Sequence, residues 1–208
     1  MKYIFVTGAP GSKWSSVVKN IYYSPSVDRS DYSDARTYYH DASGRRELMH
    51  LGAYFDPGME FNLPDNLFRL SKSALEDTFN SAFSGEGVRI VKSHIFALNI
   101  DFLRACWRDC PVVLVHRSDD ACLGWWVKCG HFDITYPDYT EYYKNLREMG
   151  SIIQKQNVGI ADAVWKYKPE LISPGTNYEL CEALGLAQPP NDYRQNYANS
   201  DITVKVIK

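Results

Sequence analysis

Tyr3-Ile4-Phe5-Val6 breaks into Thr7-Gly8-Ala9-Pro10-Gly11-Ser12-Lys13-Trp14, and the chain continues with helix-like spacing from Ser15 to Tyr23. A short unbroken apolar run bounded by turn residues reads as a strand buried on both faces, the habit of the first and central strand of a parallel α/β sheet. A strand that feeds a Gly-rich turn and then a helix makes a phosphate cradle, because the turn points backbone N–H groups inward and the helix N-terminus adds partial positive charge. The spacing is not that of a Walker A loop. Gly8-x-x-Gly11-Ser12-Lys13 lacks both the four-residue gap and the Lys-Ser/Thr pair that ATP and GTP enzymes place on phosphate and Mg²⁺. The stretch therefore predicts a P-loop-like phosphate-binding loop of another kind, built from Gly8, Ala9, Pro10, Gly11, Ser12, Lys13, Trp14 and Ser15.

Two further segments extend the pattern. Val88-Arg89-Ile90-Val91-Lys92-Ser93-His94 reads as a buried strand ending in a basic-polar-His triplet, and Pro111-Val112-Val113-Leu114-Val115-His116-Arg117 as another strand ending on Arg. In an open parallel sheet ligands bind outside the carboxyl ends of the strands, so Lys13, Lys92, His94 and Arg117 are expected to converge on one crevice. The expected fold is α/β, a three-layer α/β/α arrangement with a central parallel sheet.

On these residues the chain resembles the sulfotransferases that use 3′-phosphoadenosine-5′-phosphosulfate (PAPS) as donor. The family's phosphosulfate loop commonly reads P-K-S-G-T-T-W, and Gly8 to Trp14 supplies the Gly, a hydroxyl and the closing Trp at matching places. The K-T-H or K-S-H triplet that carries the general base in cytosolic members is similar to Lys92-Ser93-His94. The V-x-R-(N/S)-x-x-D strand end, whose Arg holds the donor's 3′-phosphate, is similar to Val115-His116-Arg117-Ser118-Asp119-Asp120. Near the end of the chain, Tyr178 to Leu186 resembles the family's helix ending in L-G-L. The chain departs from the pattern at Ala9, which stands where the family has its loop Lys, and at Trp125, which stands where a Ser follows the 3′-phosphate Arg.

The resemblance implies sulfuryl transfer from PAPS to a hydroxyl or amine of a small-molecule or saccharide acceptor, leaving adenosine 3′,5′-bisphosphate. A protonated acceptor is a weak nucleophile, so a base within hydrogen-bond reach is needed, and His94 has the suitable ordinary pKa. Charge grows on the bridging oxygen as the S–O bond breaks; Lys13 and the Gly11-Ser12 amides are expected to stabilise it, with Lys92 as a second cation. Arg117 would hold the 3′-phosphate through its fork of donors. Gly52 to Phe61, dense in Gly, Pro and aromatics, reads either as an ordered turn whose Tyr54, Phe55 and Glu60 wall the acceptor pocket or as a structural turn packed on the core. Glu60 and Asp56 are the alternative carboxylate bases, and no metal is required. Two other readings use the same cradle. One is a kinase using Mg-ATP on a small substrate, with Ser15, Ser16 and Asp119-Asp120 as metal ligands. The other is a sulfotransferase-like nucleotide-binding protein without turnover.

Composition is compatible with one domain spanning residues 1–208. A chain of 208 residues with 45% hydrophobic content can bury a single α/β core. With 23 basic and 25 acidic residues the net charge is −2, so no global field draws in nucleic acid or an acidic membrane, and an anion must be held locally. No run of eighteen apolar residues exists and Met1 leads directly into the first strand, which together predict a soluble, cytoplasmic protein without a membrane partner. Five cysteines without a C-x-x-C pair argue for buried free thiols rather than disulfides or zinc; Cys122, Cys129 and His131 are the weak exception.

Between these motifs, Ser24 to Ser43 reads as a long surface loop or a short irregular excursion, and Leu67 to Phe83 as helical. Ile100 to Trp107 and Ala121 to Lys128 read as further helices, and another runs from Lys144 towards Gln156. Of Trp125 and Trp126, core positions are favoured over stacking on an adenine. Fifteen tyrosines offer flat surfaces with a polar tip, suited to a hydroxylated acceptor or to a core stabilised by amphipathic rings. The tail from Ile202 to Val206 is expected to be an edge strand or a closing flap.

Overall fold

A computed structural model of the protein describes residues 1–31, 37–39, 46–48, 51–59, 61–129, 140–172, 177–191 and 201–208. Strand β1 (Tyr3–Gly8) is buried along its whole length. Its side chains alternate between two cores. Ile4 and Val6 join Val17, Val18 and Ile21 on one face, while Tyr3 and Phe5 join Phe79, Phe96 and Trp107 on the other. Burial on both faces explains why the strand reads as an unbroken apolar run and why its neighbours are parallel.

The neighbours are β5 (Arg89–Lys92) and β6 (Val112–His116), both parallel to β1, and β4 (Ala53–Tyr54) adds in parallel outside β5. The six-stranded sheet has the order β4-β5-β1-β6-β8-β7, with β7 spanning Glu170–Ile172 and β8 Thr203–Ile207. It is mostly parallel rather than wholly so, because β8 runs antiparallel to both β6 and β7. The tail is thus neither an edge strand nor a flap. Val204 and Val206 are buried while Lys205 is only half-buried, and the strand fills the interior slot beside β6 with Val112 opposite Ile207. A separate antiparallel pair is formed by β2 (Thr37–Tyr39) and β3 (Arg46–Leu48).

Helices cover both faces of the sheet. Helix α1 (Trp14–Tyr22) and residues of α7 (Asn177–Ala183) pack on the Ile4 face; α2 (Lys72–Asn80) and α3 (Ile100–Cys106) pack on the Phe5 face. The helical stretch expected over Leu67–Phe83 is two pieces. Asn66 caps a 3-10 turn at Leu67–Arg69, and Ser71 then accepts from the Ala74 amide to start α2, so local capping overrides the apolar periodicity. The first part of the expected Ser24–Ser43 loop is packed rather than free. Val27 bridges to Val88, and buried Asp28 lies 3.6 Å from the Arg89 guanidinium.

Helix α4 (Asp119–Lys128) follows β6, and after α5 (Thr140–Tyr143) comes α6 (Leu146–Tyr167). Asn145 caps α6 by accepting from the Arg147 and Glu148 amides, and the left-handed Lys168 ends it, well beyond Gln156. Met149 and Ile153 belong to the core on one face of the sheet and Ile160 and Ala163 to the core on the other, so α6 passes from one core to the other. It packs on α4, on the 3-10 turn His94–Leu98 and on the ends of β1 and β6. No helix among the described residues is long and apolar enough to cross a membrane.

The crossing of α6 over the His94–Leu98 turn is close. A Cβ on Gly159 would lie 2.3 Å from the Ala97 carbonyl oxygen, whereas one on Gly150 of the same helix would meet nothing within 4 Å. Gly159→Ala is therefore expected to destabilise the protein by about 1–3 kcal/mol through overpacking. Gly150→Ala should stabilise it by up to about 1 kcal/mol through helix propensity. Urea unfolding of the two variants checks both signs, and an equal response would disprove the close packing.

Candidate functional site

The carboxyl ends of the four parallel strands lie side by side, and each is followed by a residue singled out above. Gly8 ends β1, Lys92-Ser93-His94 follows β5, His116-Arg117 closes β6, and Phe55-Asp56 follows β4. The turn after β1 closes when the Ser12 amide donates to the Ala9 carbonyl at 3.0 Å. Gly11 and Lys13 both have left-handed backbones, at φ 82 and 61. Gly11 has no alternative, since a Cβ there would sit 2.0 Å from the Cys122 carbonyl oxygen of α4. Lys13 then caps α1, whose N-terminus has no side-chain cap bond and no acid in its first turn. Among the described residues, the Ser16 amide donates to the Lys13 carbonyl at 2.9 Å, no side chain caps the amides before it, and Ser12 Oγ is buried without a hydrogen-bond partner.

His94 ties the strand ends together. Its Nδ1 hydrogen-bonds the Gly8 carbonyl oxygen, and its ring lies flat on Trp14 with centroids 3.8 Å apart and planes 15° from parallel. Tyr54 meets the imidazole edge-on at 5.6 Å and Trp14 at 5.1 Å. On the other side is Asp56, whose Oδ1 accepts from Ser93 Oγ at 2.5 Å and from the His94 amide at 2.9 Å. Its Oδ2 stands 4.0 Å from His94 Nε2. Burial raises the Asp56 carboxyl from its ordinary 3.8 to about 7, against hydrogen bonds from Ser93, Tyr54 and the His94 and Ile95 amides that pull it down. Lys92 is fully buried, its ammonium 5.5 Å from the centres of both the Trp14 and the Tyr54 rings.

A second cluster lies on the β6 side of the loop. Arg117 donates from Nη1 to the Gly11 carbonyl at 3.2 Å and from Nε to the Asp201 carboxylate at 2.7 Å. Lys13 sits 4.5 Å above the Trp125 ring, with Lys128 and Arg117 also against it at 5.6 and 6.0 Å. Burial, then the Arg117 charge, hold the Lys13 ammonium below its usual range. For Asp201, partial burial works upward, but the hydrogen bond from Arg117 and the charges of Arg117 and Lys13 outweigh it and leave the carboxyl low. Asp119, a candidate metal ligand, instead accepts from Asn157 of α6 at 2.6 Å.

Of the expected site residues, Gly8 to Ser15, Lys92, His94 and Arg117 meet at one edge of the sheet. Ala9 is fully buried in the core, so the loop's only cation is Lys13. Phe55 does not wall a pocket. Strand alternation sends Tyr54 to the His94 side and Phe55 into the opposite core, against Phe61 and Phe79. Glu60 lies outside the described residues, as do Tyr136, Tyr139 and His131. Trp126 is core, and Trp125 is half-buried under the three cations. Sequence reading missed Asp201 and the partnership of Asp56 with His94. The Asp-Pro-Gly turn signal at Asp56 could have drawn attention to the second, whereas nothing local marks the first.

No family model matches the chain, and no curated protein or solved structure matches it.

The raised Asp56 carboxyl carries a signature in stability. The folded protein keeps this proton up to about pH 7, while the unfolded chain releases it near 3.8. Stability must fall as pH rises across that window and then level off, because the native state binds more protons there. Asn at this position keeps the Oδ1 acceptor and cannot ionise. The difference in unfolding free energy between wild type and Asp56→Asn, followed from pH 4 to 8, should show the fall; a pH-independent difference would refute the buried acid.

Proposed function

We propose that the protein is a sulfotransferase that passes the sulfuryl group of PAPS to a hydroxyl or amine of a small-molecule or saccharide acceptor. The observation that carries the reading is the pair of side chains clamping the loop from its two sides, His94 on the Gly8 carbonyl and Arg117 on the Gly11 carbonyl. They set an imidazole and a guanidinium, the side chains suited to a general base and to a phosphate, on opposite flanks of one helix N-terminus without a side-chain cap among the described residues. In this reading the 5′-phosphosulfate occupies the amides from Gly11 to Ser15 and the Ser12 hydroxyl. The 3′-phosphate displaces the Asp201 carboxylate from Arg117. Lys13 leaves the Trp125 face to reach the bridging oxygen as charge develops there, and Lys92 adds a fixed positive charge behind Trp14. His94 Nε2 takes the acceptor proton. Trp14 covers the face of the imidazole, so an acceptor must approach Nε2 in the plane of the ring, on the side of Asp56.

The reading makes two sets of expectations. In a thermal-shift or calorimetric titration, adenosine 3′,5′-bisphosphate should bind better than adenosine 5′-monophosphate, and Arg117→Ala should abolish that preference. Asp201→Asn should tighten the bisphosphate several-fold by removing an internal competitor, roughly the effect of one surface ion pair. Preferential stabilisation by Mg-ATP would instead support a kinase.

For transfer itself, PAPS is offered with a panel of phenols and monosaccharides. Lys13→Met should lower turnover on the order of one hundredfold with donor affinity largely kept, because its interaction strengthens only in the transition state. His94→Gln should lower turnover comparably. Bisphosphate binding without any transfer would mark a nucleotide-binding protein that lacks turnover.

A further inference from the structure

We propose that Asp56 and His94 form one acid–base unit, in which Asp56 is the positioning residue that holds the imidazolium formed when His94 Nε2 removes the acceptor's proton. The chemical step rests on the sulfotransferase reading, whereas the pairing stands on geometry. A carbonyl oxygen can only accept, so the bond to Gly8 requires the hydrogen on Nδ1. In the neutral ring Nε2 is then the lone-pair nitrogen, and it is this atom that faces Asp56 Oδ2 at 4.0 Å. The ring cannot turn away, since Trp14 lies flat on one side and Tyr54 stands edge-on. Asp56 is held as firmly. Its Oδ1 is claimed by the Ser93 hydroxyl and by the backbone amide of His94 itself, which aims Oδ2 at the imidazole of the same residue. One histidine thus orients its own carboxylate partner through its main chain.

The separation matters. At 4.0 Å the two groups are about 1 Å beyond direct hydrogen bonding, close enough for strong charge coupling in a site where both are almost wholly buried. The other titratable groups around the pair are Lys92 on β5, Tyr54 on β4, and Tyr142 on α5, whose phenol feels the Asp56 charge and donates to Asp65 at 2.7 Å. When the pair carries one proton, Asp56 Oδ2 and His94 Nε2 share it, and when that proton is gone the Nε2 lone pair stands beside a carboxylate. In the transfer step the acceptor O–H proton moves to Nε2 and the acceptor oxygen forms the new O–S bond. The S–O bond to the donor's 5′-phosphate breaks, and its electron pair stays on the phosphate oxygen. The new Nε2–H carries a positive charge next to Asp56, and the proton passes to water once the products leave.

The test reads His94 directly, in the full-length protein without ligand, by ¹⁵N NMR of labelled histidine across pH. Wild type should show the Nδ1–H tautomer when neutral, and Asp56→Asn should lower the apparent His94 pKa by about one unit or more. Ser93→Ala, which removes one of the hydrogen bonds holding Asp56, should produce a smaller fall. In parallel, with PAPS and 4-nitrophenol as probe substrates, Asp56→Asn should lower kcat about a hundredfold with unchanged bisphosphate affinity, and Asp56→Glu should recover part of it. An Nε2–H tautomer in wild type, or a His94 titration indifferent to Asp56→Asn, overturns the proposal. Absence of transfer from PAPS by wild type overturns the functional reading instead, and the NMR titration still decides the pairing.

Discussion

The bond between the His94 imidazole and the Gly8 carbonyl is the constraint on which the site depends. Strand β1 ends on Gly8, where only glycine fits, because a Cβ there would meet Ser12 Oγ at 2.5 Å and the Val115 carbonyl at 2.7 Å. The carbonyl left at that stop would be a buried, unsatisfied acceptor, costing on the order of 1–3 kcal/mol, if no donor reached it. His94 arrives from β5, the parallel neighbour of β1, and supplies the donor. Satisfying that acceptor fixes the tautomer of the ring, its plane against Trp14 and the side from which Asp56 meets it. A structural demand of the sheet end thereby sets the chemistry of the residue beside it.

Electrostatics at this edge are local by necessity. The chain's net charge of −2 offers no general attraction for an anion, so positive charge has to be concentrated and held apart from its own repulsion. Two devices do this. Lys92 is buried against the faces of Trp14 and Tyr54, and Lys13, Arg117 and Lys128 share the Trp125 ring. Aromatic faces attract cations without neutralising them. Asp201 is the opposite device, a carboxylate on Arg117 that relieves the Lys13–Arg117 repulsion.

The parts of this arrangement legible in the sequence are those written in contiguous residues. Buried parallel strands need unbroken apolar runs, and their ends need polar residues at once, which is why Tyr3 to Trp14, Val88 to His94 and Pro111 to Arg117 could be read as strand ends facing one crevice. What escaped reading depends on long-range partners or on a single residue's phase. Asp201 reaches Arg117 across 84 positions and has no local mark. The aromatic neighbourhood of Phe55 suggests a pocket wall, but the period of two that continues from β4 sends its side chain to the far core. The Thr203–Ile207 segment alternates like an edge strand, and only the vacant flank of β6 together with β7 makes it interior. Helix α6 outran its expected end because its apolar residues serve two cores in succession, which blurs a single-face periodicity.

That the loop carries its cation at position 13 and an alanine at position 9 follows from the same packing. Ala9 is sealed in the core, and Gly11 passes so near the Cys122 carbonyl that only a left-handed glycine fits. Those two contacts press the turn between β1 and α4 and leave no room on its inner side for a long side chain. The first position past the press is Lys13, at the cap of α1. Its left-handed backbone costs roughly 1–2 kcal/mol for a residue with a Cβ, and it points the ammonium towards Arg117 and Trp125 rather than along the helix. A strained non-glycine residue kept at a helix cap, where Asn or Gly would relieve it, is reason to look to its side chain rather than its backbone for the function of the position.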